Sequence, residues 1–280
     1  MPELPEVETV CRGLQQTIER DTIIHTNVRR ADLRIPFTPT LAADTQNQKV
    51  QTIRRRSKYA LLDLANGKTL VIHLGMSGRV LVTEPDQPIT LEKHDHFVLK
   101  FESGRHMIYT DARRFGMIFS HDTQTLNDHK LFTNIGPEPL SNHFNSDFLF
   151  KALQKRKSNI KAALLDQKLV AGIGNIYASE ALYEAGIHPQ RISNTITQDE
   201  CASLYRSVCD VLSRAIDAGG SSLKDYKHAD GNMGYFQHNF AVYGREDEQC
   251  RANCACGGKG RVQKIVQSGR STYFCATKQV

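Results

Sequence analysis

The sequence predicts an α+β protein of two domains, with a β-rich N-terminal half and a helical C-terminal half that ends in a cysteine-rich tail. Three observations predict this class. Residues 3–19 place apolar side chains at helical spacing, short apolar or alternating runs continue to about residue 120, and longer helical patterns follow residue 139. Strand-like runs followed by helical ones, rather than alternating with them, are typical of α+β proteins.

The first helix is predicted from apolar side chains that share one face, namely Val7, Val10, Cys11, Leu14 and Ile18. The strands are predicted from short runs that turn signals separate, such as Asn66 with Gly67. These runs are Tyr59–Leu64, Thr69–Leu74, Arg79–Val82, His96–Phe101 and His106–Thr110. Strands at this spacing predict a sandwich or a barrel.

The stretch Gly136–Pro139 is interpreted as a linker, because glycine and proline punctuate regular structure. Four helices are predicted after it, at about 146–155, 159–166, 175–185 and 197–217. Gly219 and Gly220 then end the helical part.

The formal net charge is +6, and its distribution is more informative than its total. Residues 241–280 hold seven Lys or Arg against three acidic residues, and the blocks Lys49–Lys58 and Lys151–Lys161 contain no acid. A single charge run is most often a solvated face, but three basic blocks favour a polyanionic partner, most simply nucleic acid.

The sequence predicts a cytoplasmic protein. No apolar stretch approaches the ~20 residues that a membrane span needs. The acidic opening MPELPEVETV lacks the basic and apolar regions of a signal peptide. The seven cysteines are therefore expected to be reduced.

The first residues offer a nucleophile, provided that Met1 is removed, as is normal when the second residue is small. Pro2 would then be a secondary amine that titrates near ~8, is partly neutral at physiological pH and can attack an electrophilic sugar carbon. Glu3 is adjacent and can move protons, and Glu6 lies one helical turn further on. Proline and glutamate are also ordinary residues for a helix start, and the dipeptide alone favours that interpretation.

The opening MPELPEVETV resembles the formamidopyrimidine-DNA glycosylase family, and the resemblance runs nearly end to end. It continues through RRRSKYALLDL (54–64), HLGMSGR (73–79), EKHDHFVL (92–99), YTDARRFG (109–116), IGPEPL (135–140), LLDQKLVAGIGNIYASEALYEAGIHP (164–189), GGSSLKDY (219–226), GYFQ (234–237), VYGRE (242–246) and QSGRSTYFC (267–275). The number and order of these motifs make the resemblance specific.

The resemblance implies three parts: a catalytic β-sandwich domain over residues 1–134, a helix–two-turn–helix DNA-binding domain over 135–240 and a zinc-finger hairpin over 241–280. The implied partner is damaged double-stranded DNA, held by a monomer in the cleft between domains. The implied activity is that of a bifunctional glycosylase and abasic-site lyase of base excision repair, acting on 8-oxoguanine and formamidopyrimidines.

The resemblance also implies roles for individual residues. The Pro2 amine attacks C1′, displaces the base and forms a Schiff base, and β- and δ-elimination follow. Glu3 matches the general acid/base, with Glu6 supporting the site, and Arg270 matches the finger arginine of δ-elimination. Lys58 matches a lysine assigned to proton transfer in β-elimination. The residues alone favour a phosphate contact for Lys58, because three arginines precede it.

Eversion of the damaged base is implied for Met76, Arg113 and Phe115, which match the residues that fill the gap in the duplex. Read without the family, such Met and Phe residues are core residues about as often as wedges. Ala112 stands where the family usually has proline, so the loop is expected to be less restricted in φ.

Contacts to the DNA backbone are implied for Asn175 at a helix N-terminus and for its neighbours. The full set of implied DNA-binding residues is His94, Arg113, Lys157, Lys161, Asn175 and Tyr177. A metal held by His94 and His96 is disfavoured, because no third ligand is evident in the sequence. Residues 219–236 resemble the loop that closes over an everted 8-oxoguanine.

The tail departs from the family pattern of two C-x2-C pairs, because Lys278 stands where the fourth cysteine is expected. One structural Zn²⁺ is predicted on Cys250, Cys254, Cys256 and Cys275. Three thiolates with an outside ligand, or a hairpin without zinc, remain open.

Two other functions remain open. One is a glycosylase of the same superfamily that acts on oxidised pyrimidines, although its opening differs from MPELPEVET. The other is a zinc-ribbon DNA-binding protein without catalysis, which would not need an N-terminal proline.

Overall fold

The computed structural model describes residues 1–221, 235–251 and 256–280. The chain forms two compact units, one of Met1–Thr133 with Ala218–Tyr235 and the other of Asn134–Asp217 with Phe236–Val280. The C-terminal hairpin thus belongs to the same unit as the helices. The three-part division at residues 134 and 240 stays a prediction.

In its described residues, the first unit contains two α-helices and eight strands. In chain order these are α1 (Leu4–Ile18), β1 (Thr22–Val28), α2 (Leu41–Thr45), β2 (Gln48–Arg56), β3 (Tyr59–Leu64), β4 (Lys68–His73), β5 (Arg79–Val82), β6 (Asp95–Phe101), β7 (His106–Thr110) and β8 (Met117–Asp122). A 3₁₀ helix at Thr123–Asp128 follows them.

The strands are ordered β5-β7-β6-β1-β2-β3-β4-β8, and every pair is antiparallel. Strands β1 and β2 pair only at Thr22 with Lys49 and Ile23 with Gln48, so the sheet consists of two four-stranded halves. Both halves and α1 contribute to one hydrophobic core, which includes Leu14, Ile53, Leu62, Phe97 and Leu99. Two sheets that face a shared core form a sandwich, as the sequence predicted.

The second unit contains α3 (Ser146–Leu153), α4 (Ile160–Leu165), α5 (Asn175–Ala185), α6 (Gln198–Asp217) and a hairpin of β9 (Val262–Gln267) and β10 (Arg270–Cys275). The side chains of Asn145 and Asn159 cap α3 and α4 by accepting backbone N–H bonds at 2.9 and 2.8 Å. Gly186, with φ of 73°, ends α5 in the left-handed conformation.

The first helix, the five predicted strands and the four later helices lie within one or two residues of their expected positions. The α+β prediction is confirmed. Strands β1, β2 and β8 and the short α2 were not predicted individually. Among the described residues, no helix combines the length and the apolar character that a membrane crossing requires.

Candidate functional site

The N-terminus is folded onto the start of α1. Pro2 is buried, and the carboxyl groups of Glu3 and Glu6 belong to residues that are only 2% exposed. Glu6 Oε2 accepts the backbone N–H of Glu3 at 2.8 Å, which is the return half of a capping box. The helix start therefore fixes the backbone beside Pro2.

Glu6 also binds a distant part of the first unit. Its Oε1 accepts two hydrogen bonds from Ser221, from the backbone N–H and from Oγ, both at 2.8 Å. A Cβ at Gly220 would lie 3.2 Å from the Glu6 side chain, so this segment passes close to the carboxylate. The segment leads into residues 222–234, which contain most of the predicted lesion loop and lie outside the described residues.

Lys58 lies in the two-residue turn between β2 and β3, after Ser57 with φ of 53°. Lys58 is 7% exposed, so its long side chain is held against the protein rather than extended into solvent. Desolvation first, and then the positive charges of Lys58 and Arg34, lower the pKa of His73 to about 4. The neutral ring accepts the backbone N–H of Gly75 through Nδ1 at 3.1 Å.

The predicted wedge residues lie on two adjacent loops of the first unit. Met76 is 39% exposed and Phe115 is 43% exposed, which is unusual for large apolar side chains. The Arg113 guanidinium carbon lies 4.9 Å from the centroid of the Phe115 ring. Gly75 has φ of 62°, and a Cβ there would lie 2.3 Å from the Phe115 carbonyl carbon, so the two loops touch through their backbones.

One buried carboxylate joins these loops. Ser77 Oγ donates to Asp111 Oδ1 at 2.6 Å and accepts the backbone N–H of Arg113 at 3.0 Å. Asp111 Oδ2 accepts the backbone N–H of Gly116 at 2.8 Å and lies 3.3 Å from the Tyr109 hydroxyl. Asp111 is fully buried, so these donors replace the water that its charge has lost.

The two histidines at the start of β6 have different environments. His94 is exposed, whereas His96 is buried and its Nε2 pairs with the Asp111 carbonyl at 2.9 Å. Their rings are 6.2 Å apart. No group of three metal-binding side chains lies there in the described part of the chain.

In the second unit, Lys161 lies inside the protein rather than on its surface. It is 1% exposed, and its Nζ donates to Thr272 Oγ1 at 2.6 Å and to the Ser271 carbonyl at 3.3 Å. Asn175 Nδ2 donates to the same Ser271 carbonyl at 2.9 Å. Two side chains from α4 and α5 therefore hold β10 immediately beside Arg270.

Asn175 is the first residue of α5, where helical N–H groups lack intrahelical partners. Its Oδ1 is buried and has no partner within residues 1–221, 235–251 and 256–280. Tyr177 is 1% exposed and packs near Phe236, with ring centroids 6.0 Å apart. Lys157 is exposed.

Arg270 is exposed at the turn of the C-terminal hairpin. Ser268 and Gly269 form this turn with φ of 50° and 72°, so the two strands are joined by the two-residue geometry that matches their twist. The buried Glu180 accepts the N–H groups of residues 241–243 at 2.7, 3.0 and 2.8 Å and so attaches the segment before the hairpin to α5.

Three of the predicted metal ligands meet. The sulfurs of Cys250, Cys256 and Cys275 all lie within 4.8 Å of one another. Cys250 and Cys275 are 3% and 0% exposed. Thiolates are preferred ligands of zinc, and of these three residues Cys250 and Cys275 are free thiols. Cys256 is disulfide-bonded, contrary to the expectation that the seven cysteines are reduced, so the set fits a metal ion only when that disulfide is reduced. Cys254, the fourth predicted ligand, lies outside the described residues.

Several residues that position these groups were not predicted from the sequence, namely His73, Ser77, Asp111, Glu180 and Thr272. Asp111 lies within the quoted motif YTDARRFG, so its position carried a signal, although nothing in that motif indicates a partner at Ser77. The role of Thr272 depends on Lys161, which is 111 residues away in the chain.

Two family models match the chain. The formamidopyrimidine-DNA glycosylase N-terminal domain matches residues 1–118, and the formamidopyrimidine-DNA glycosylase H2TH domain matches residues 135–227. Among curated relatives, the formamidopyrimidine-DNA glycosylase of Ruegeria pomeroyi is 50% identical over 100% of both chains. That of Paracoccus denitrificans is 49% identical over 98% of both chains.

Solved structures with the same fold include complexes with DNA. A Lactococcus lactis Fpg bound to DNA containing an abasic site matches with a TM-score of 0.88 and 35% identity, covering 99% of both chains. The Thermus thermophilus MutM (Fpg) protein matches with a TM-score of 0.87 and 38% identity, covering 99% of this chain and 98% of the other.

Proposed function

The chain belongs to the formamidopyrimidine-DNA glycosylase family, and from this premise we propose that it excises 8-oxoguanine and formamidopyrimidines from duplex DNA and then cleaves the strand. The observation that carries the proposal is the buried start of α1, where Pro2 is followed by two buried carboxyl residues in a capping geometry. We expect the protein to act as a monomer in the bacterial cytoplasm.

Pro2 is the proposed nucleophile once Met1 has been removed. Its amine nitrogen bonds to C1′ as the bond from C1′ to the damaged base breaks, and the base leaves with a proton. Loss of the amine proton and opening of the sugar then give an iminium that joins Pro2 to the sugar. Glu3 is the proposed proton carrier, since it is the adjacent carboxyl residue. Glu6 holds the Glu3 backbone through the 2.8 Å hydrogen bond and so positions both.

Lys58 and Arg270 are the proposed groups for the lyase steps. In β-elimination a proton leaves C2′ and the 3′ phosphate departs, and in δ-elimination the 5′ phosphate departs. A cation beside each leaving phosphate stabilises the developing negative charge. Support for Arg270 comes from its exposed position at the hairpin turn, and support for Lys58 from its enclosure in the β2–β3 turn.

Met76, Arg113 and Phe115 are the proposed residues for base eversion. Two large apolar side chains about 40% exposed on touching loops favour a wedge over a core role, because neither is covered by the unit that carries it. The guanidinium of Arg113 lies against Phe115 and is available to the orphaned base. His94 is exposed near the start of β6 and is a proposed DNA contact.

The proposed phosphate contacts in the second unit are Lys157 and the N-terminus of α5 at Asn175. Lys161 and Tyr177 were expected to contact DNA directly, but both are 1% exposed. We therefore propose that they act indirectly. Lys161 holds β10 beside Arg270, and Tyr177 supports the first turn of α5 from within the protein.

Zinc is the proposed occupant of the cysteine cluster, held by Cys250, Cys275 and, once its disulfide is reduced, Cys256. A bound zinc ion would cross-link β10 to the segment before β9 and so contribute to the folding of the hairpin. Cys254 remains a further predicted ligand.

Borohydride trapping tests the proposed function. The protein, with its N-terminal Met removed, is incubated with duplex DNA containing 8-oxoguanine and with sodium borohydride, which reduces an iminium to a stable amine. A covalent adduct at Pro2 is expected, located by mass spectrometry of the N-terminal peptide. Pro2→Gly replaces the secondary amine with a primary amine of different geometry and should trap far less. Trapping by a chain whose N-terminus is blocked would refute the mechanism.

A salt series separates binding from chemistry. Because the proposed DNA contacts are mostly to phosphate, log K for duplex DNA should fall linearly with log salt concentration, with a slope of about −0.9 for each phosphate contact. Pro2→Gly should retain this slope, since Pro2 acts on C1′ rather than on phosphate. A salt-independent affinity would contradict the proposed interface.

A further inference from the structure

A cavity of about 310 Å³ lies between the turn of the C-terminal hairpin and α4. Both of these elements belong to the second unit, so the cavity is formed within that unit. Its polar lining comes from Asn159, Lys161 and Asp166 on the side of α4 and from Gln267, Ser268 and Arg270 on the side of the hairpin. The proposed arginine of δ-elimination therefore shares a cavity with several polar groups.

The acceptors on the side of α4 already have donors. Asp166 accepts a guanidinium N–H from Arg156 at 2.8 Å and the backbone N–H of Lys168 at 3.0 Å. Asn159 Oδ1 accepts the backbone N–H of Ala162 at 2.8 Å, as the cap of α4. The carboxylate and the amide oxygen on this side are thus used to hold the protein itself.

Gln267, on the side of the hairpin, has an acceptor to spare. Its Nε2 donates to the Pro189 carbonyl at 3.2 Å, which anchors the end of β9. Its Oε1 is buried and has no hydrogen-bond partner in the part of the chain that the structure describes. A buried oxygen without a donor is costly, so a donor that reaches it is stabilised there.

Arg270 is the cross-strand neighbour of Gln267. The two residues pair directly across the hairpin, at the first position beyond its two-residue turn. Side chains at such positions share one face, with Cβ atoms about 4.5–5.5 Å apart, well within the reach of arginine. The other cation of the cavity, Lys161, already donates to Thr272 Oγ1 and to the Ser271 carbonyl. Arg270, which is exposed, is therefore the cation available to Gln267 Oε1.

The shape of a guanidinium allows it to bind two partners at once. It carries five N–H donors in one plane, so one edge can bind an amide oxygen while another binds two phosphate oxygens. The bond to the amide oxygen then fixes the direction of the edge that binds phosphate. A side chain that is oriented beforehand also loses less conformational freedom when its ligand arrives.

We propose that Gln267 is a positioning residue for Arg270. Its Oε1 accepts a hydrogen bond from the guanidinium and directs the remaining donors toward the 5′ phosphate that departs in δ-elimination. The proposal rests on the role of Arg270 in the proposed function. Because β-elimination is assigned to Lys58, only the δ step depends on Gln267.

Cleavage of duplex DNA that contains an abasic site and carries a 5′ label tests the proposal. After β-elimination the labelled strand ends in the sugar fragment, and after δ-elimination it ends in a phosphate, so a gel separates the two products. Gln267→Met keeps the length of the side chain without its polar atoms. It should slow δ-elimination about tenfold, as expected for one hydrogen bond to a charged group, and leave β-elimination within about twofold of the wild type.

Three further variants separate the acceptor from the anchor. Gln267→Glu keeps an oxygen for the guanidinium but has no N–H for the Pro189 carbonyl, so δ-elimination should stay within about threefold of the wild type. Ser268→Ala removes a hydroxyl that lines the same cavity and should match the wild type. In an Arg270→Ala background, Gln267→Met should change the ratio of the two products no further, because two residues that act through one contact are not additive.

The outcomes separate this proposal from the proposed function. A wild-type chain that does not cleave abasic DNA would refute the proposed function, and one that stops after β-elimination would refute the role of Arg270. If the wild type completes both steps, an unchanged product ratio in Gln267→Met would overturn the role of Gln267 alone. A loss in Gln267→Glu as large as in Gln267→Met, an equal loss in Ser268→Ala, or an additive loss in the Arg270→Ala background would also overturn it.

Discussion

Ser77→Ala should impair base eversion while sparing the chemistry. Ser77 follows Met76 in the chain, and its Oγ bonds both to the Asp111 carboxylate and to the backbone N–H of Arg113. Alanine removes this atom and adds no bulk. The two loops then keep their backbone contact at Gly75 but lose the hydrogen bonds that fix their relative position.

The size of the expected effect of Ser77→Ala is set by the hydrogen bonds that Asp111 keeps. Leaving a buried acceptor without one donor costs about 1–3 kcal/mol. Asp111 keeps the Gly116 N–H at 2.8 Å and the Tyr109 hydroxyl at 3.3 Å, and the exposed Arg113 N–H can turn to water, so the lower part of that range applies. A cost of about 1.4 kcal/mol, if it falls wholly on the loop geometry that eversion needs, is about a tenfold loss in rate.

The assay compares two substrates under single-turnover conditions. Excision of 8-oxoguanine paired with cytosine requires eversion, whereas cleavage of an abasic site in single-stranded DNA requires no opening of a stack. Ser77→Ala should lose about tenfold on the first and little on the second, and Ser77→Thr, which keeps the hydroxyl, should be close to wild type. An equal loss on both substrates would indicate general damage, and no loss on either would show that the Ser77 link positions nothing.

Three further predictions follow from buried polar groups. The pKa of His73 is about 4 because of desolvation and nearby cations, so its neutral form contributes stability that is fully present above pH 6.5 and is lost as pH falls through 4. Denaturant titrations should show a loss of about 3 kcal/mol over this window that His73→Asn reduces. Glu180→Gln should cost about 2 kcal/mol in the free energy of unfolding, because an amide cannot accept all three N–H groups of residues 241–243; an unchanged Tm would contradict this. Lys161→Met should leave the salt slope of DNA binding unchanged, whereas Lys157→Met should reduce it by about 0.9, the value of one phosphate contact.

The helices and strands that the sequence predicted are those in which apolar residues are buried in a regular local pattern. Helix α1 buries every residue of its apolar stripe, and β3 buries four of its six residues. Strand β2 was not predicted, because only Val50 and Ile53 of its nine residues are buried and its basic residues were interpreted as part of a block that favours a polyanionic partner. Strand β1 buries two of seven residues and carries no alternation either. Both β1 and β2 are held in the sheet by hydrogen bonds to neighbouring strands, and a local sequence pattern carries no information on this pairing.

The same distinction applies to the candidate site. Pro2, Glu3 and Glu6 are adjacent in sequence, so their association followed from helical spacing alone. The burial of Lys161 could not be predicted in this way, because a buried lysine and an exposed lysine look the same within a basic block of sequence. Lys161 is distinguished by its hydrogen bond to Thr272, which the tertiary fold brings to α4. Cys275 ends β10 opposite Val262, and the backbone N–H of Cys250 bonds to the Gly260 carbonyl just before β9. The spacing of the cysteines contains no signal for the hydrogen bond between Cys250 and Tyr183.

The Ala112 substitution bears on how the wedge loop is held. A proline at 112 would restrict the loop from within, by fixing one φ angle. Here the loop is fixed at its ends instead, because the Asp111 N–H bonds to the His94 carbonyl at 3.0 Å and the Asp111 side chain accepts the Gly116 N–H. Within these ends Arg114 adopts φ of 58°, a left-handed conformation that costs energy and persists only where surrounding contacts impose it. The conformation of the loop that carries Phe115 therefore depends on the Asp111 carboxylate. Asp111, which directly follows β7, supplies the restriction that a proline at position 112 would otherwise give.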